Sequence, residues 1–289
     1  MKQLFITSVR DFEKNTMGTV EMREMPMPEP AEDEVRIKII YSSICGSDAH
    51  TLTGHLGEFE EGTKAMLPMT FGHELSGVID KVGPKAEALG YHVGDKVIAN
   101  YAKYCYACDN CRSGHENLCS HVQFCMNGFA EYAVYHVTQV HKLPENYDLE
   151  TAALIEPLAV TVHAAKRFPD INGANVSIIG CGPIGILLMQ SCKALGAAKE
   201  LITDISDYRL ELAKSLGADY AINTAKVPYA DAIAEVFGPD KADVTYECAG
   251  NNATTDMAIQ NSRKGSVIVL VAVFADWAKV DLARLNDSE

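Results

Sequence analysis

No stretch of this 289-residue chain is apolar for the length a membrane span requires, and the N-terminus lacks the core of a secretion signal. MKQLFITSVRDFEKN offers only the short run Leu4 to Ile6 before charges return. Basic residues are scarce, with 25 Lys and Arg against 39 Asp and Glu and a formal net charge of −14. A nucleic-acid backbone or an anionic bilayer each demands a basic face, so neither is expected as a partner. Low-complexity linkers and internal repeats are missing too. The cysteines do not make an even set; there are nine. The expected location is cytoplasmic, where a disulfide framework is disfavoured and metal binding or buried thiols are favoured. With 47% hydrophobic and 22% charged residues, the composition is that of a globular protein. The length suits one large domain or two moderate ones.

The pattern changes near residue 150. Before it, EVRIKIIYSSIC, GVIDKVG, HVGDKVIA and GFAEYAVYHVTQVHKLP are short β-branched runs punctuated by glycine and proline, which predicts a β-rich domain. After it, strand and helix alternate. NVSIIG leads to PIGILLMQSCKAL and a stop at Gly196; ELITD leads to SDYRLELAKSL and a stop at Gly217. Shorter cycles reach ADVTYECAG and GSVIVLVAV. Such alternation predicts a parallel sheet covered on both faces.

Two motifs carry chemistry. Cys105, Cys108, Cys111 and Cys119 follow the spacing C-x2-C-x2-C-x7-C. A C-x2-C turn brings two sulfurs to one metal, and two more from the same loop complete a tetrahedron with no open position, so the metal would be structural. Zinc is the preferred occupant. An iron-sulfur cluster is the competitor, but its bacterial pattern has the fourth cysteine three residues on and followed by proline, unlike Cys119-Ser120. His115 and His121 in and beside this lobe, and His55 earlier, read as polar loop residues; Cys125 is a possible fifth thiol.

The second motif is Gly180-Cys-Gly182-Pro183-Ile184-Gly185, between a predicted strand and a predicted helix, with Asp204 ending the next strand. Gly180 allows the tight turn, Gly182 lets the backbone approach a pyrophosphate, and Gly185 permits close helix packing. Asp204 can accept hydrogen bonds from ribose hydroxyls and repels a 2′-phosphate, which favours NAD over NADP. Arg209 nearby leaves room for the phosphate. Cys181, Cys192 and Cys248 read as core thiols.

Cys45-Gly-Ser-Asp-Ala-His50, Gly72-His73-Glu74, the four-cysteine lobe, Gly128-Phe-Ala-Glu-Tyr132, Glu156-Pro-Leu and the glycine-rich turn stand in one order along essentially the whole chain. In this the sequence resembles the zinc-dependent medium-chain alcohol dehydrogenases, most of all sorbitol (L-iditol) and 2,3-butanediol dehydrogenases, with threonine dehydrogenases close by. The resemblance implies a GroES-like catalytic domain over 1–156, with its structural zinc lobe at 101–121, and a Rossmann NAD-binding domain over 157–289, the active site lying in the cleft between them. It implies two Zn²⁺ per chain, one structural and one catalytic. Cys45 and His73 map onto catalytic zinc ligands, and Glu74 and Glu156 onto carboxylates that bind the metal or its water. Ser47 maps onto the hydroxyl that takes the substrate proton, and His50 onto the group that passes it on. These residue types suit oxidation of a secondary alcohol, since zinc with three protein ligands keeps a position open to acidify a hydroxyl.

Family members continue some tens of residues past the segment matching NDSE, adding a last sheet strand and a return to the catalytic domain. The expectation from this sequence is therefore a sheet without that strand. Homodimers and homotetramers are common in the family but doubtful here. The reading is an NAD-dependent polyol or vicinal-diol dehydrogenase acting on a small alcohol or ketone. Dehydrogenation of L-threonine or another secondary alcohol is the alternative, and a zinc-stapled NAD(H)-binding protein without catalysis is a third.

Overall fold

The computed structural model describes residues 1–54, 60–274 and 277–288, so His55 lies outside the described residues. The chain divides into two compact units, Met1–Glu156 and Pro157–Glu289.

The first unit contains β1 (Lys2–Ser8), β2 (Thr19–Glu24), β3 (Glu34–Ser43), β4 (Met69–Thr70), β5 (Glu74–Val82), β6 (Lys96–Ala99), β7 (Ala102–Lys103), β8 (Gln123–Phe124), β9 (Tyr132–His136) and β10 (Val140–Lys142). Five form one antiparallel sheet in the order β10-β6-β5-β3-β9. Alternation along β3 buries Val35 and Ile37, which pack with Leu75, Ile79, Val97, Ala133 and Tyr135 into the core of this unit. β3 and β5 approach closely at Gly77, where a Cβ would stand 2.2 Å from the Lys38 carbonyl oxygen. Beside it the register shifts by one residue between Ile39 and Tyr41, a β-bulge that leaves Ser43 directly opposite Glu74. The run HVGDKVIA is shorter as a strand than its pattern suggests: it pairs only from Lys96, because the His92 and Asp95 backbone and side chain close a turn ahead of it.

The second unit is built on β11 (Asn175–Ile179), β12 (Lys199–Asp204), β13 (Tyr220–Asn223), β14 (Val244–Glu247) and β15 (Val267–Leu270). They pair in parallel in the order β13-β12-β11-β14-β15. The two faces are covered by different helices. Val176, Ile178, Ile202 and Tyr246 pack against Ile186, Met189 and Leu210; Ile179 and Leu201 pack against Ile233, Val236, Phe237 and Ala258. This is a doubly wound sheet of Rossmann type. Gly196 and Gly217, past the helices Pro183–Ala194 and Asp207–Ser215, take the left-handed conformation expected of them. Cys181 and Cys192 are fully buried and Cys248 half-buried, as core thiols should be. No helix among the described residues is long and apolar enough to cross a membrane.

One buried acid works against this core. Glu200 on β12 is 1% exposed and neither carboxylate oxygen has a hydrogen-bond partner. Burial, reinforced by Asp219, pushes its carboxyl up to about 8, against a partial offset from Lys193. The folded chain therefore holds a proton there that the unfolded chain releases near pH 4.5, so stability is fully present below that value and declines as pH rises toward 8. Glu200→Gln should flatten the fall in unfolding free energy between pH 5 and pH 8, by up to about 1.4 kcal/mol per pH unit, as read by denaturant titration at each pH. Parallel profiles for the two proteins would show that Glu200 is not the group responsible.

Candidate functional site

Antiparallel pairing places the end of β3 against the start of β5. Cys45 follows β3 as the N-cap of the helix Gly46–Thr53; His73 and Glu74 stand at the head of β5. Residues nearly thirty positions apart thus become neighbours, and the ligand atoms of Cys45, His73 and Glu74 lie within 4.8 Å of one another. Two glycines let the surrounding backbone close. Gly72 has φ +85°, and a Cβ on it would stand 2.6 Å from the Phe129 ring; a Cβ on Gly128 would stand 2.7 Å from the Gly72 carbonyl carbon. The Gly128 N–H donates to the Gly72 carbonyl at 2.8 Å, which joins the two motifs Gly72-His73-Glu74 and Gly128-Phe-Ala-Glu-Tyr132.

Two residues that the motifs did not single out complete this environment. Asp48, 3% exposed, accepts the Cys45 N–H at 3.0 Å and the Gly72 N–H at 3.4 Å, tying the cysteine loop to the histidine turn. Its signal in the sequence was an acid three residues past a helix-capping position, the spacing of a capping box. Tyr101 sets its ring 5.1 Å from that of His73 at 57°. Nothing in the local sequence marks Tyr101, since the contact joins separate loops.

Electrostatically the cluster is crowded with acids. Burial raises the Cys45 thiol, hydrogen bonds from Ser47 oppose the rise, and the Glu74 carboxylate adds to it. Burial also raises Asp48 and Glu156; Glu156 feels His73 favourably and Glu74 unfavourably. Glu156, on the helix Ile155–Ala165, faces the group, but Glu74 is the carboxylate that joins Cys45 and His73 within 4.8 Å. His73 Nδ1 is buried without a hydrogen-bond partner. A thiol, an imidazole and a carboxylate converging, with the acids Asp48 and Glu156 around them, fit a zinc ion in both donor type and charge. Ser47 and His50 lie three residues apart on the Gly46–Thr53 helix, hence on one side of it.

The four cysteines also converge, with ligand atoms all within 4.8 Å. Sγ–Sγ distances of 3.9 Å for Cys105–Cys111 and 3.5 Å for Cys108–Cys111 bracket the edge, about 3.8 Å, of a tetrahedron with Zn–S bonds of about 2.3 Å. An iron-sulfur cluster with one cysteine per iron requires sulfurs held farther apart. Backbone N–H groups already point at the sulfurs: Cys108 and Ala107 donate to Cys105 Sγ, and Cys105 and His121 to Cys119 Sγ. The Cys111 and Ser120 N–H groups pull the Cys108 thiol down to about 6, while burial pushes Cys111 up to about 12. Cys125 stands apart, turned to Gln139, and the His115 ring nitrogen pairs with Ser113 at 3.1 Å.

In the second unit β11 is followed at once by Gly180, whose φ of +104° requires glycine. A Cβ on Gly185 would stand 1.9 Å from the Gly180 carbonyl oxygen, so that glycine serves packing. At Gly182, the N-cap of helix Pro183–Ala194, a Cβ would meet nothing within 4 Å. The space over the turn is open, and the N–H groups of Ile184 and Gly185 have no intrahelical acceptor, while Pro183 starts the helix without one. These features fit a pyrophosphate. Asp204 ends β12 next to the turn, accepting the Cys181 N–H at 2.8 Å and the Ser206 N–H at 2.9 Å. Each oxygen keeps a lone pair for a further donor. Arg209, open to a phosphate in the sequence reading, is exposed, with its guanidinium 3.6 Å from the Asp204 carboxylate.

Comparison with known proteins agrees with this geometry. Residues 31–145 match the alcohol dehydrogenase GroES-like domain and residues 183–289 the zinc-binding dehydrogenase domain. The sorbitol dehydrogenase of Bacillus subtilis (strain 168) is 34% identical over 260 residues, covering 88% of this chain and 72% of that protein. The L-threonine 3-dehydrogenase of Anaeromyxobacter sp. (strain K) is 32% identical over 276 residues, 92% of this chain and 78% of its own. A crystal structure described as a zinc-binding dehydrogenase from Clostridium scindens ATCC 35704 superposes with TM-score 0.94 at 48% identity, over 100% of this chain and 83% of that one. With its two sets of zinc-type donors and its glycine-rich Rossmann turn, the chain belongs to the zinc-dependent medium-chain alcohol dehydrogenase family, in the company of the sorbitol dehydrogenases.

Proposed function

We propose that this protein is an NAD-dependent, zinc-containing dehydrogenase that oxidises a secondary hydroxyl of a polyol or vicinal diol. The observation that carries the proposal is the convergence of Cys45, His73 and Glu74 within 4.8 Å, with an unpartnered buried ring nitrogen on His73. These three would hold the catalytic zinc. Zinc with three protein ligands supplies a Lewis acid that brings a hydroxyl pKa toward neutrality. Glu156, half-buried and close enough to feel His73 and Glu74, is suited to hold a water or hydroxyl beside that site. Ser47, exposed at the start of its helix and hydrogen-bonded to the Cys45 thiol, would accept the substrate proton, and His50 would pass it on. An imidazole carries one nitrogen that can accept a proton and one that can donate it, which suits that second transfer.

The turn at Gly180, Gly182 and Gly185, with the Ile184 N–H group, would hold the pyrophosphate of the cofactor, and Asp204 its adenosine ribose. Pairing of Arg209 with Asp204 leaves a carboxylate where a 2′-phosphate would have to sit, which supports NAD. The four-cysteine lobe would hold the structural zinc. A small alcohol or ketone would be the partner, and the location would be cytoplasmic. Similarity to an L-threonine 3-dehydrogenase supports threonine as the second reading of the substrate.

Metal analysis with NAD reduction on sorbitol, xylitol, 2,3-butanediol and threonine tests the proposal. Two zinc ions per chain and turnover of a polyol or diol are expected. Cofactor binding without turnover of any alcohol, in protein holding both metals, would instead identify a binding protein. Cys45→Ser should retain one zinc and the native circular dichroism, with turnover below about 1% of the parent. Cys111→Ser should lose the other zinc and lower the thermal midpoint first; a stable, metal-replete and inactive Cys111→Ser protein would reverse the division of labour between the two sites. Asp204→Ala should raise the KM for NAD about tenfold and narrow the preference over NADP, with zinc content unchanged.

A further inference from the structure

Glu74 offers two oxygens, and the structure occupies one of them. Ser43 Oγ donates to Glu74 Oε2 at 2.5 Å. The pair is not a chance surface contact. Ser43 is half-buried and Glu74 5% exposed, and the two are direct partners in the β3–β5 register, so their side chains leave the sheet on the same face. That register depends on the bulge at Ile40. With the extra residue absent, Glu74 would face Ser42, whose hydroxyl now donates to the Glu74 carbonyl at 3.1 Å. Ser43 also lies two residues before Cys45, so one strand end carries both a ligand of the site and the group that restrains another.

We infer that Ser43 is a positioning residue for the metal site: by holding Oε2 it presents Glu74 through its other oxygen alone, as a one-oxygen ligand beside Cys45 and His73. The inference rests on the reading of Cys45, His73 and Glu74 as zinc ligands. Its physical content is a preorganised carboxylate. A glutamate side chain free to rotate would lose conformational freedom on binding the ion and could bind through both oxygens, closing the position that a substrate hydroxyl needs. A neutral hydroxyl donor fixes the rotamer without adding charge, and it leaves the cysteine, imidazole and carboxylate set intact.

The test compares Ser43→Ala, Ser43→Thr and Glu74→Ala with the parent, all full-length and zinc-loaded. Zinc transfer to a chromophoric chelator is followed, with the four-cysteine lobe as the internal control. In Ser43→Ala the less tightly held zinc should bind at least about 10-fold more weakly while the lobe zinc is unchanged, and Ser43→Thr should restore the parent affinity. The cobalt-substituted Ser43→Ala protein should show a visible spectrum shifted from the parent's, reporting altered coordination independently of turnover. Parent affinity and spectrum in Ser43→Ala, with that zinc lost in Glu74→Ala, would overturn the inference and leave the ligand reading standing. Retention of that zinc at parent affinity in Glu74→Ala would instead overturn the ligand reading. Failure of Ser43→Ala to fold, with Ser43→Thr folded but as weak in zinc as Glu74→Ala, would also count against the inference, since the hydroxyl would then be present without its effect.

Discussion

The pairing of β3 with β5 is the constraint on which the candidate metal site depends. A β-ladder fixes which residues face each other, and an antiparallel ladder brings the last residues of one strand beside the first of the next. Cys45 and the His73-Glu74 pair occupy those two ends. The ladder also accommodates a bulge beside Gly77, and the shift of one residue decides which serine faces Glu74. Outside the ladder, Asp48 clamps the two loops through their backbone N–H groups, and Gly72 and Gly128 allow a third loop to approach. The placement of the candidate ligands therefore follows from backbone hydrogen bonding, with the side chains arriving already aimed.

This placement concentrates acidic groups. Cys45, Asp48 and Glu156 are all pushed toward their neutral forms by burial, and Glu74 lies among them. Buried acids without counter-charge are unfavourable, and proteins retain such groups where a cation or a reaction uses them. The four-cysteine lobe solves a related problem differently. There the backbone supplies N–H donors to the sulfurs, which favours thiolates locally, and the sulfurs surround one another so that no position remains for a substrate. With a metal held there, the site with more thiols would be the less reactive.

The glycine-rich turn shows three glycines retained for three separate physical reasons. Gly180 adopts a positive φ, Gly185 makes room for the Gly180 carbonyl, and Gly182 faces open space at the start of a helix whose first N–H groups are free. Asp204 holds the turn through the Cys181 N–H before any ligand is considered, so the residue that would select the cofactor also shapes its cradle.

The parts of the protein governed by local spacing could be read directly from the chain. The cysteine lobe, the turn at Gly180 and the parallel sheet follow from contacts within a loop or within one strand-helix unit, where the separation along the sequence already sets the geometry. Cys45, His73, Glu74 and Glu156 were reached through resemblance to a family, which left the two glutamates unranked, because no local rule brings residues so far apart together. Tertiary structure alone decided that Glu74 joins Cys45 and His73, that Asp48 and Tyr101 border them, that Ser43 holds Glu74, and that Arg209 comes within 3.6 Å of Asp204. Each of these depends on register, on a bulge or on the meeting of separate loops, and such distances are set by the folded ladder and not by the order of residues.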